Sequence, residues 1–89
     1  MRIDLFLKAS GILKSRSMAA GACAAGAVTV NGKTAKSSSG VVPGSIVTVL
    51  RPRGGSITFR VDSIPGSGNV PRADRASLFT VLEEDRNAD

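Results

Sequence analysis

The dipeptide Asn31-Gly32 restricts what this chain can fold into more than any other feature. Both residues accept the positive φ that a two-residue type I′ turn demands, and Val28 and Val30 alternate with polar neighbours before it. Ala27 to Lys36 is therefore expected to be a β-hairpin. An isolated hairpin is marginal in water, so other elements must cover its apolar face. Pro43-Gly44 marks a second turn, and Ile46 to Leu50 is a run rich in β-branched residues, as strands favour. Arg51 to Gly55 reads as a turn into a further strand, in which Ile57, Phe59 and Val61 alternate with Thr58, Arg60 and Asp62. Pro65 to Pro71 reads as a Gly/Ser loop. Ala76 to Leu82 is ambiguous in period, and a short closing strand through Phe79 and Val81 is expected there. Glu83 to Asp89 is expected to be a solvated, frayed acidic tail.

Upstream of the hairpin the period changes to helical. Ile3, Phe6 and Leu7 share one face of a helix over Arg2 to Ser10, and Gly11 ends it. Asp4 is suited to cap that helix or to hold Arg2 in a fixed pose. Lys8, one turn further on, is placed for a plain surface ion pair with Asp4. A second helix is expected from Ser15 or Ser17, either of which can act as N-cap, to Ala25, with Gly26 as the stop. Met18, Ala19, Ala22 and Cys23 are expected on its buried face. The fold class that follows is α+β, with two N-terminal helices packed on a small, mainly antiparallel sheet of about four to five strands.

With 89 residues the chain holds one domain and a small core. Residues 1–82 are expected to form that domain, with its core motif in 1–50. The sequence contains no His, Tyr or Trp and a single Cys. Histidine base catalysis and histidine metal ligation are thereby excluded, and neither a catalytic residue, a metal site nor a cofactor is expected. Cys23 cannot pair within the chain and reads as a small buried apolar residue of a reduced, cytoplasmic protein. No stretch approaches the roughly 18 apolar residues that a membrane span requires.

The charge is unevenly spread. Residues 1–53 carry eight bases against one acid, whereas 54–89 carry four bases against six acids. A polyanion-binding face needs segregation of this kind, because each phosphate neutralised releases condensed counterions. The bases gather at helix entrances and at the hairpin. Lys14, Ser15, Arg16 and Ser17 surround the start of the second helix, where free N–H groups and the helix dipole favour an anion. Arg16 can grip a phosphate with its planar fork. Lys33 and Lys36 bracket the hairpin, as solvated strand ends or as further phosphate contacts. Phe6, Phe59 and Phe79 all fall on apolar faces, so bases of a single strand find no stacking platform, and folded RNA recognised by shape is the expected ligand.

In order and spacing, Arg2-Ile3-Asp4, Phe6-Leu7-Lys8, Lys14-Ser15-Arg16, Val28-Thr29-Val30-Asn31-Gly32-Lys33, Ala35-Lys36 and Pro43-Gly44 resemble the RNA-binding domain first seen in ribosomal protein S-four. Among its members they resemble the stand-alone proteins of the RqcP type, with the heat-shock ribosome-recycling proteins as cousins. The resemblance implies an αL-type RNA-binding fold and a monomer in the cytoplasm, associated with the ribosome. It also implies binding to large-subunit rRNA and P-site peptidyl-tRNA, in support of C-terminal tailing by an RqcH-like factor. Arg2 and Arg16 are the implied rRNA contacts, supported by Lys8 and Lys14. Three alternatives stay open: a heat-shock-type recycling factor for free large subunits, a binder of another structured RNA, and the detached RNA-binding domain of a pseudouridine synthase.

Overall fold

Turn chemistry and apolar alternation organise the molecule around one sheet. The computed structural model describes residues 1–51, 54–66 and 70–85. The elements run α1 (Ile3–Ala9), α2 (Arg16–Ala24), β1 (Val28–Val30), β2 (Lys33–Thr34), β3 (Ile46–Leu50), β4 (Ser56–Val61), α3 (Arg72–Arg75), a 3₁₀ turn (Ala76–Leu78) and β5 (Phe79–Asp85). The strands form one antiparallel sheet in the order β2-β1-β3-β4-β5, which gives the expected α+β architecture.

Asn31 and Gly32 adopt φ of 51° and 83°, and Val30 pairs with Lys33 across them. The Asn31 carboxamide also accepts a hydrogen bond from the Ile46 N–H at 2.9 Å, tying the turn to β3. Val28, Val47, Val49, Ile57, Phe59 and Val61 project from the sheet into the core, where they meet Ile3, Phe6 and Leu7 of α1 and Ala19 and Cys23 of α2. Phe6 stacks on Phe59 with ring centroids 6.0 Å apart, and Phe59 meets Phe79 edge-on at 5.4 Å, so three rings fasten helix to sheet.

After the hairpin the chain leaves the sheet and crosses the start of α1. That helix has no side-chain cap. Its free N–H groups are satisfied by this segment instead: Ile3 N–H donates to the Ser39 carbonyl at 2.7 Å and Asp4 N–H to the Ser37 carbonyl at 3.3 Å. The polar run 37–39 thus sets the position of Arg2 and Asp4.

Three local expectations change. Met18 is 50% exposed, because with Arg16 as first helical residue the inward stripe of α2 falls on Ala19 and Cys23, one turn apart. Pro71 starts a short helix, α3, that four residues of sequence could not announce, and Ala76–Leu78 is a 3₁₀ turn rather than strand. The closing strand begins at Phe79 and continues through Glu83, Glu84 and Asp85, which pair with Thr58, Ile57 and Ser56. These acids tolerate an edge strand because their side chains face water. The expected turn at Arg51 to Gly55 and loop at Pro65 to Pro71 fall partly, and the tail from 86 onward wholly, outside the described residues, as does Arg53.

Candidate nucleic-acid interface

Asp4 lies in the first turn of α1 and is 2% exposed. A carboxylate removed from water must find partners, and this one has three. Its Oδ1 accepts the Leu5 N–H at 2.8 Å. Its Oδ2 accepts both Arg2 Nη2 and Arg16 Nε, each at 3.2 Å. The two guanidiniums thereby converge on one oxygen, although they lie fourteen residues apart in the chain. Their side chains remain 46% and 52% exposed. One negative charge against two positive ones leaves the cluster with an excess of +1 at the surface, and both side chains are held before any ligand arrives.

The second helix adds to this point. Ser15 is the N-cap of α2, its Oγ accepting the Met18 N–H at 3.1 Å, and Arg16 is the first residue of the helix. Ser17 is exposed in the same turn, and exposed Lys14 immediately precedes the cap. Lys36 is exposed on the segment that covers the start of α1, adjoining Ser37 whose carbonyl receives the Asp4 N–H. Arg2, Arg16 and Asp4 are therefore brought into direct contact, with Lys14 and Lys36 on the adjoining chain. Lys8 is half-buried one turn further along α1. Lys33 stands apart, exposed at the hairpin tip.

The ion pair from Asp4 to Arg16 was not anticipated. Its partners are brought together only by the packing of α1 against α2, and the one hint in the sequence is that Asp4 is the single acid among the first fifty-three residues. Cys23 sits behind the cluster on the buried face of α2, and burial first, then the Asp4 charge, push its thiol pKa up. It is held as a neutral thiol, consistent with its reading as a small apolar residue. Among the described residues no group of acids, Cys and His could hold a metal ion, and no helix is long and apolar enough to cross a membrane.

Two guanidiniums fixed on a buried carboxylate beside a helix start can receive an oxyanion. The S4 domain matches residues 1–47, and the chain belongs to the S4-domain family. Within it, the chain is 34% identical to the Bacillus subtilis protein named RQC P-site tRNA stabilizing factor, over 97% of this chain and 96% of that one. It is 40% identical to the Helicobacter pylori protein of the same name, over 83% of this chain and 87% of that one. Among solved structures, trimeric Vibrio cholerae heat shock protein 15 superposes with a TM-score of 0.81 at 26% identity, covering 92% of this chain and 81% of that one. The solution structure of a hypothetical protein superposes with a TM-score of 0.79 at 35% identity, covering 93% of this chain and 98% of the other.

Proposed function

We propose that this chain is a non-catalytic RNA-binding protein of ribosome-associated quality control that works as one domain, with the closing strand through Asp85 as part of it. It binds rRNA of the large ribosomal subunit and steadies the P-site peptidyl-tRNA, and it thereby supports C-terminal tailing of the stalled chain by an RqcH-like factor. The chain acts as a monomer in the cytoplasm. The observation that carries this reading is the cluster in which buried Asp4 holds Arg2 and Arg16 half-exposed and side by side. A pair of guanidiniums so fixed suits backbone phosphates, which position a protein on folded RNA without reading sequence. Lys8, Lys14, Lys33 and Lys36 supply further phosphate contacts around it. The shared names of the Bacillus and Helicobacter relatives support the choice of the P site.

Arg2→Ala and Arg16→Ala should each lower co-sedimentation with large subunits by about tenfold and also lower the melting temperature, since each leaves the buried Asp4 carboxylate with one charged partner instead of two. The parent should also lose roughly 10³ in affinity between 50 and 200 mM salt if about six phosphates are neutralised. Variants that sediment like the parent, or an affinity flat across that salt range, would remove the basis of the reading. A second reading, the one implied by the sequence resemblance to heat-shock ribosome-recycling proteins, is recognition of free large subunits, and the fold shared with heat shock protein 15 is compatible with it. Equal binding to subunits with and without peptidyl-tRNA selects it.

A further inference from the structure

The face of α1 that carries the Asp4 cluster does not end there. Lys8 follows Asp4 by four residues, one turn along the same face, and Gly11 follows the C-cap Ser10. Against Gly11 lies Arg75, which belongs to α3 in the half of the chain whose overall charge is negative. A Cβ at Gly11 would stand 3.4 Å from both Cδ and Nη1 of Arg75, so the arginine rests on bare glycine backbone. Its Nε donates to the Val70 carbonyl at 3.3 Å, which fixes the plane of the guanidinium. Lys8, Arg75, Val70 and Pro71 together line an open hollow of about 300 Å³. Asp74, the acid on the same short helix, lines a different hollow with Ser63, Ile64 and Ser77.

We infer that Lys8 and Arg75 form a second phosphate-binding point for the RNA backbone, one that nothing in the first forty-seven residues could supply alone. The inference rests on the RNA-binding reading above and extends it. α1 rises about 1.5 Å per residue, so Lys8 stands roughly 9 Å beyond Arg2 along the helix. A separation of that size lets the two points engage different, nearby phosphates of one strand rather than the same phosphate. One guanidinium pair at the helix start and one Lys–Arg pair at its end would thus follow a single strand of a folded RNA, with α1 laid along it. The C-terminal segment then has a role beyond closing the sheet: α3 delivers a cation to a face otherwise built by the N-terminal half.

The test uses the full chain and purified large ribosomal subunits, with affinity measured across a salt series. Arg75→Gln keeps the side-chain stem over Gly11 and removes the charge. It should weaken binding by about tenfold and lower the slope of log affinity against log salt by about one, with an unchanged melting temperature. Lys8→Gln should give the same pair of changes, and Arg16→Gln is the reference. If Arg75→Gln binds with the affinity and slope of the parent while Arg16→Gln is impaired, the second point is overturned and the primary cluster stands. If Arg75→Gln is weaker with an unchanged slope and a lowered melting temperature, Arg75 is only a packing residue and the inference again fails. If neither Arg16→Gln nor Arg75→Gln differs from the parent, the RNA reading itself is at fault.

Discussion

Acids and arginines meet at both ends of this molecule, yet they do so on different terms. In the helical region Asp4 has a side chain 3% exposed and serves two arginines. On the sheet, Glu84 serves Arg51 at 2.6 Å and Asp62 serves Arg60 at 2.8 Å, with acid side chains 29% and 30% exposed. The Asp62–Arg60 pair sets one acid against one base, so its charges cancel, and both sheet acids are open enough for solvent to screen what is left. The Asp4 cluster is two to one and anchored in the core, so a positive charge is left over at fixed geometry. A surface becomes a phosphate site through the ratio of charges and the rigidity of their support, more than through the number of arginines it carries.

The sharpest way to break that contrast is Asp4→Asn. The substitution raises the net charge from +5 to +6, so if positive charge alone governed RNA binding the affinity would rise. It should instead fall by about tenfold or more, because neither arginine keeps its ionic anchor. Stability should fall as well. Removing one partner of a fully buried pair costs about 3–5 kcal/mol, but these arginines can return to water, so about 1.5–3 kcal/mol is expected, the range for hydrogen bonds to charged groups. Thermal unfolding and subunit co-sedimentation read the two effects separately.

How much of this was legible in the sequence follows the range of the interaction concerned. The hairpin was plain, since Asn31 and Gly32 need only each other and their immediate neighbours to choose a turn. The two helices and the alternation in β4 were legible for the same reason. The Asp4–Arg16 contact was not, because it crosses from one helix to the next and depends on how closely α2 approaches, which its small residues permit but do not declare. Glu83, Glu84 and Asp85 misled in the other direction. Their composition says tail, yet a paired edge strand asks little of side chains that face water, and Arg51 is there to receive Glu84. Arg75 was hidden by its place in an acid-rich half of the chain.

The same contrast predicts that the sheet arginines are replaceable. Arg51→Gln and Arg60→Gln each remove one positive charge, as Arg16→Gln does, but from partly exposed pairs that solvent screens. Subunit binding should change less than twofold and stability by no more than about 0.5 kcal/mol. A tenfold loss of binding from either would show that net charge, rather than the anchored cluster, carries the interaction.

The smallest expected effect concerns pH. The Asp62 carboxylate accepts hydrogen bonds from Thr80 Oγ1 and Arg60 Nε, and these, the Thr80 bond first, hold its pKa below the ordinary aspartate range. A carboxyl whose folded pKa is depressed contributes stability that is present above its unfolded pKa, about 4 for aspartate, and is lost as the pH falls through the lower folded value. Asp62→Asn should therefore melt slightly below the parent at neutral pH, and the two curves should converge once the solution is acidic enough to protonate Asp62 in the folded protein. RNA binding at neutral pH should be the same for both, since the Asp62–Arg60 pair lies outside the anchored cluster. A gap in melting temperature that persists undiminished into strong acid would mean that the carboxylate's charge is not what Thr80 and Arg60 recognise.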